Sequence, residues 1–459
     1  MAKTCIICDE RADSREHVFP ASFGGRRTNN GIYCQKHNNE FGRHVSALLK
    51  GLDIVNALVG VIPDRHEEVR PAIVTAASGD RYLVSKDRAM LAPPPPLTET
   101  PELVGKEVTL AFADRAQAEE WGERQRAAGY KVDFVGVGPV QSRFFPEPMH
   151  AKRVIGDEDF MRAVLYLALT FLAHRFPALA RSTYLAGARE AVERDLPTEH
   201  QVWWEPPELL NQLPPNPYTY GNTVAISVNA ETGKVTALVS FYGEILFGVD
   251  LGTHTGESTV LVTTHIDPLA PKPPHDLQEF RADGRYLVLG SPESGKQYLT
   301  DLRNGVAPVF CETLSSASDT ELAAASKTLL PEFLATKVLS PHERADAIFR
   351  LLSTQQQRIL NLLRGGIEGF AKSTPELPTA VHEALRILVK PDPGASRGMS
   401  RECEIALHVA TAAMTDAVRQ HVDANTLDLD SLVGLLGGGP GVAITFGTVA
   451  KIFFRSWDR

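Results

Sequence analysis

Two short pairs of soft metal donors stand at the start of the chain. They are Cys5-x2-Cys8 and Cys34-x2-His37, with 25 residues between them. Each pair can leave one tight turn, and tetrahedral Zn²⁺ accepts thiolate and imidazole equally well. The spacing therefore reads as a structural zinc site that closes the intervening loop. The competing reading is unconnected cysteines beside a surface histidine. Inside the loop Glu16 precedes His17, and Asn38 directly follows His37. Neighbouring side chains on an extended chain point to opposite sides, so Glu16 can hold a hard cation while His17 faces a water. Mg²⁺ prefers oxygen ligands and keeps several waters. The Glu16 carboxylate, the Asn38 amide oxygen and a substrate phosphate would make such a shell. Zinc would hold the segment together, and a second ion would do the chemistry.

Glu16-His17-Val18-Phe19-Pro20, Gly24-Gly25, Cys34-x2-His37-Asn38 and Phe41-Gly42 together resemble the zinc-knuckle form of the HNH endonuclease motif, a ββα-metal module. The resemblance covers residues 5 to about 48. It implies His17 as general base and Glu16 and Asn38 as ligands of a catalytic Mg²⁺ or Mn²⁺, with DNA as substrate and RNA not set aside. Two positions depart from the commoner pattern: Glu16 replaces an aspartate, and His37 stands where a fourth cysteine is usual. His44 or Glu40, further along the exit helix, is a candidate extra ligand or else an ordinary helix residue. Arg26 and Arg27 beside the Gly24-Gly25 turn, helped by Arg43, are candidate phosphate contacts, and the alternative is a solvated loop. For the whole module the alternative is a zinc-stapled binding or regulatory element without catalysis. Similarity to bacterial stand-alone HNH proteins further implies a regulated effector in antiviral defence.

Composition limits the rest. A chain of 459 residues, 43% hydrophobic and 22% charged, can bury two or three cores. Its net charge is -9. Residues 1–50 hold eight Lys/Arg against five Asp/Glu, a net of +3, which leaves -12 for the remainder. An acidic body repels a phosphate backbone, so contact with DNA has to be local or helped by a partner protein, an activating ligand or self-assembly into a homo-oligomer. Five cysteines are too few for a disulfide scaffold. With no signal-like apolar core at the start, the expected location is cytoplasmic. Leu432–Ala450 carries no charge, but its glycines and Pro440 predict a buried turn between two apolar segments rather than a membrane span.

The chain reads as α+β. The expected division is a ββα-metal zinc module at 1–58, a mixed α/β recognition or scaffold domain at 59–314, and an α-helical regulatory or oligomerisation region at 315–459. Val69–Leu91 alternates as a hairpin around Ser78-Gly79-Asp80. Residues 106–112, 115–128 and 130–137 predict strand, helix and strand. Asp157 or Asp159 caps an apolar core helix that ends at Pro177. QVWW, residues 223–251 with a turn at Glu231-Thr232-Gly233, residues 258–266 and RYLVLG (285–290) predict strands. Gly290–Lys296 fits most of a phosphate-loop pattern, but Gln297 replaces the Mg²⁺-binding hydroxyl, so a hairpin is expected there. Ser340-Pro341-His342-Glu343 opens a helix through about Leu363, and another helix runs from near Ser400 to His421.

Overall fold

The computed structural model describes residues 3–455, except 65, 77–78, 87, 135–148, 256–257, 271–277, 306–310, 375–384 and 386–399. In chain order β1 (Glu16–His17), β2 (Thr28–Asn29) and α1 (Gln35–Val59) form the zinc-bearing segment. They are followed by β3 (Ala72–Ala76), β4 (Arg81–Ser85), β5 (Arg88–Leu91), α2 (Arg115–Ala127) and β6 (Met149–His150). Next come α3 (Glu158–Arg175), α4 (Pro177–Ala180), α5 (Ala186–Glu193), β7 (Val202–Glu205) and β8 (Asn222–Val228). β9 (Lys234–Phe241), β10 (Ile245–Thr253), β11 (Val260–Ile266), β12 (Gln278–Asp283) and α6 (Pro292–Arg303) complete the middle of the chain. Beyond Cys311 the described chain is helical to Arg455. The protein is α+β.

The chain divides into two compact units, one built from residues 1–73, 83–90 and 151–317, the other from 74–82, 91–150 and 318–459. In the first, an antiparallel sheet runs in the order β12-β11-β8-β9-β10-β7. Every residue of β8 and β11 is buried, because both faces of the sheet are covered. One face meets α3, and Leu209–Leu213 with Leu287 and Leu289 close the other. Asp157 caps α3 by accepting from the Phe160 amide. Nearly all of α3 is buried, since it lies between the sheet and α1.

On α1 the buried residues His37, Phe41, His44, Leu48, Leu52, Val55 and Val59 recur every three or four positions. That is one helical face, and it packs on α3. The zinc-bearing segment therefore packs into the core of the first unit. Cys5, Val18, Phe23 and Phe41 share one hydrophobic cluster with Phe160, Tyr166 and the sheet residues Phe241 and Phe247. Gly60 ends α1 at φ 91°, a left-handed conformation that glycine adopts freely, and both its amide and that of Val61 donate to the Asn56 carbonyl. The chain is thereby turned back towards β1.

In the second unit the part of helix Cys311–Ala335 from residue 318 on, with the helices Pro341–Ser353, Gln356–Ser373, Arg401–Ala424, Leu429–Gly437 and Gly439–Arg455, encloses a core around Phe333, Leu363, Met414 and Leu436. Ser340 and Glu343 form the expected capping box, and Ser400 caps the helix of 401–424. Leu429–Gly437 and Gly439–Ile452 meet at a 48° bend, and among the described residues no single helix is long and apolar enough to cross a membrane.

Five expectations change. Residues 106–112 form no strand: the chain is irregular there, and Phe112 packs on Trp121 of α2. Residues 130–134 are irregular too, and the rest of the expected strand lies outside the described residues. RYLVLG is not a strand either. Gly284 (φ 74°) turns the chain off β12, so Leu287 and Leu289 plug the sheet face instead. The hairpin expected from Gly290 is helix α6, because Ser291 caps it in a reciprocal box and Pro292 occupies its first position. The helix expected to run to Leu363 breaks after Ser353. The Thr354 hydroxyl donates to the Leu351 carbonyl and competes for a helical acceptor, and a new helix starts at Gln356.

Candidate functional site

Ligand atoms of Cys5, Cys8, Cys34 and His37 all lie within 4.8 Å of one another. Cys8 Sγ and Cys34 Sγ are 3.8 Å apart. His37 Nδ1 is 3.6 Å from Cys5 Sγ, 3.5 Å from Cys8 Sγ and 3.3 Å from Cys34 Sγ. A zinc tetrahedron with bonds of about 2.3 Å to sulfur and about 2.0 Å to nitrogen has edges of roughly 3.8 Å and 3.5 Å. The four donors fit Zn²⁺ by type and by spacing. Burial pushes the Cys8 thiol up to about 11, and its neighbours Cys5 and Cys34 add to the rise while the Glu10 backbone opposes it. A cation among these sulfurs would hold them as thiolates.

The surroundings orient the cluster. His37 Nε2 lies 3.7 Å from a Glu193 carboxylate oxygen, so a carboxylate stands behind the ring on the side away from the cluster. The Ile7 amide donates to Cys5 Sγ. Arg181 donates to the Thr4 carbonyl (2.8 Å) and the Gly31 carbonyl (3.2 Å), tying together the two arms that carry the cysteines.

β1 pairs antiparallel with β2, so Glu16 faces Asn29 and His17 faces Thr28. Two adjacent residues thereby point in opposite directions. Glu16 is 8% exposed and accepts a 2.8 Å hydrogen bond from the Tyr166 hydroxyl on α3. Burial raises its carboxyl from 4.5 to about 7, against the opposing pull of Tyr166 and the His17 backbone. His17 is on the other side, with Nε2 3.1 Å from Asp64 Oδ2. Burial alone would raise the Asp64 carboxyl, but its bond to His17 and the nearby Arg26 hold it below its ordinary value. Asn38 donates from Nδ2 to Ser14 Oγ at 2.6 Å, which leaves its amide oxygen as donor to a cation. The oxygens of Glu16 and Asn38 are of the type that Mg²⁺ or Mn²⁺ takes.

The arginines differ in their commitments. Arg26 is buried and donates to the Ile62 carbonyl (2.8 Å) and to Asp64 (3.4 Å). Arg27 is 41% exposed along its side chain and lies 3.4 Å from Glu279. Arg43 reaches Asp195 and the carbonyls of Val192 and Glu193. His44 is buried with Nε2 3.0 Å from the Val192 carbonyl, and burial, with Arg43 adding to it, lowers its imidazole from 6.5 to about 4. The ring is a neutral donor to that carbonyl, apart from the Cys/His cluster.

Sequence reasoning missed Tyr166, Glu193, Arg181 and Asp64. Tyr166 left a trace: it and Thr170 are one turn apart in the otherwise apolar stretch 163–173 of α3, and a buried tyrosine hydroxyl needs a partner. Thr170 in turn bonds the Tyr33 hydroxyl at 2.9 Å. Asp64 left none, since it sits in an ordinary polar turn after Pro63.

Residues 5–50 match the family model described as HNH endonuclease. The Cys5/Cys8/Cys34/His37 cluster within this segment fits a zinc-knuckle HNH module. No curated protein and no solved structure matches the chain.

Proposed function

We propose that the HNH module of residues 5–50 hydrolyses phosphodiester bonds of DNA with a divalent cation. The observation that carries this reading is the coincidence of the HNH match with a preformed Cys3His cluster. That cluster fixes Asn38, one residue beyond His37, on the helix leaving the paired strand that bears Glu16 and His17. In this reading His17 takes a proton from the attacking water. Glu16 and Asn38 would hold Mg²⁺ or Mn²⁺. Such a cation, when bound, supplies Lewis-acid charge to the scissile phosphate and the leaving 3′-oxygen. Arg27 and Arg43 contribute phosphate contacts, and Arg26 secures the turn that carries Asp64.

The acidic remainder of the chain keeps the module weak on free duplex at physiological salt. Residues 59–459 serve recognition and control, engaging a partner, an activating ligand or a second copy. The resemblance to bacterial stand-alone HNH proteins supports assignment to antiviral defence, in the cytoplasm. A second reading, a zinc-stapled element without catalysis, draws on the burial of Glu16 and its bond to Tyr166.

A Mn²⁺ titration of plasmid cleavage tests the assignment of roles. Asn38→Ala should need more Mn²⁺ and regain most of its rate at saturation, whereas His17→Ala stays slow at every concentration. If both variants behave alike at saturating metal, the division into base and ligand is wrong.

A further inference from the structure

Asp64 lies 14 residues beyond the matched segment, yet it is the group that holds the histidine of that segment. We propose that Asp64 is a positioning residue for His17, binding its Nε2–H and leaving Nδ1 as the nitrogen that accepts the proton. The inference rests on the hydrolytic reading above.

An ionised carboxylate only accepts hydrogen bonds, so at 3.1 Å the His17 Nε2 must be the donor. A neutral imidazole carries one N–H, which places its lone pair on Nδ1. The carboxylate is itself held. Its Oδ1 receives Arg26 Nη1 at 3.4 Å, while Nη2 of the same guanidinium donates to the Ile62 carbonyl at 2.8 Å, two residues before Asp64. Arg26 is 8% exposed, so its guanidinium holds Asp64 from the protein side, while the Asp64 side chain is 29% exposed. Upstream, the left-handed Gly60 and the buried Val61 bring the chain off α1 into the turn. Downstream, the His66 amide closes on the Pro63 carbonyl. A carboxylate held at Oδ1 by Arg26 and along its backbone presents Oδ2 to the ring and sets its rotation and tautomer together, and such orientation by a third group is what an activated base requires.

Single-turnover and steady-state cleavage of supercoiled plasmid with Mn²⁺ tests this in zinc-loaded full-length protein. Wild type is first compared with His17→Ala. Equal rates there defeat the hydrolytic reading, and the present inference falls with it. Given a difference, Asp64→Ala should lower kcat by about 10- to 100-fold, with KM and zinc content unchanged. In a His17→Ala background the same substitution should cost nothing further, because a group acting only through His17 has nothing left to act on. Asp64→Asn, of the same shape, covers failure of the alanine variant to fold and should show the same dependence on His17. An equal loss in both backgrounds would mean a merely structural role. A rise in rate would mean that Asp64 withholds the imidazole. A change confined to KM would mean a contact with DNA. Each of these results overturns the proposal.

Discussion

Glu16→Gln isolates the electrostatics of the buried carboxyl. Burial moves its pKa from 4.5 to about 7, opposed by the Tyr166 hydroxyl and the His17 backbone. Between these values the folded chain keeps a proton that the unfolded chain has lost. The contribution of Glu16 to stability therefore falls as pH rises through 4.5 to 7, and its cost is complete above 7. At about 1.36 kcal/mol per pKa unit the full cost is a little over about 3 kcal/mol. Glutamine keeps the shape and an oxygen that can accept from Tyr166, but it never ionises. In zinc-loaded protein without added divalent cation, the variant should lead wild type by about 1 kcal/mol at pH 5.5 and about 3 kcal/mol at pH 8.5. Urea unfolding at the two pH values measures both leads. Adding millimolar Mg²⁺ at pH 8.5 should stabilise wild type and leave the variant unmoved, because only the carboxylate gains a counter-ion. A lead that does not grow with pH, or a more stable wild type at pH 8.5, would refute the burial of Glu16 as a free carboxyl.

Purified protein should carry one zinc per chain by elemental analysis, and Cys5→Ala with Cys34→Ala should lose it. The unfolding temperature of the first unit should drop with it, since Cys5 and Cys34 lie in the same buried cluster as α3 and the sheet. Full zinc retention would show that these residues are not ligands. His174 should weaken the fold in acid. Burial, with Arg27, Arg175 and Lys3 adding to it, lowers its imidazole from 6.5 to about 4. Its neutral form is favoured in the fold, so stability is lost as pH falls through 6.5 towards 4. His174→Gln should recover up to about 2 kcal/mol at pH 5 relative to its effect at pH 8, the partial exposure of the ring reducing the gain by solvent screening, read by urea unfolding.

The zinc cluster was legible in the sequence because its information is local: two gaps of two residues and one closing loop. Helix starts were equally local, as Asp157, Ser340 and Ser400 show. Two of the strand failures had tertiary causes. KEVTLAF has strand composition and finds no ladder, and RYLVLG spends its leucines on a sheet face rather than at an edge. Ser291 and Pro292 carried a helix-start signal that the phosphate-loop comparison obscured. In the site, Glu16, His17 and Asn38 were recognisable as a pattern, but their partners come from α3 and from the turn after α1. Periodicity shows that α3 is buried; it does not show that the Tyr166 hydroxyl ends on Glu16. Nor does it show that Gly60 returns the chain to place Asp64 against His17.

The most direct measurement is the rate at which zinc-loaded wild type and His17→Ala nick supercoiled plasmid at saturating Mn²⁺, with both proteins matched for zinc content. Removal of a general base predicts a loss of about 10²- to 10⁴-fold for the variant. Equal rates, or a wild-type rate no higher than buffer with Mn²⁺, would contradict hydrolysis by this module.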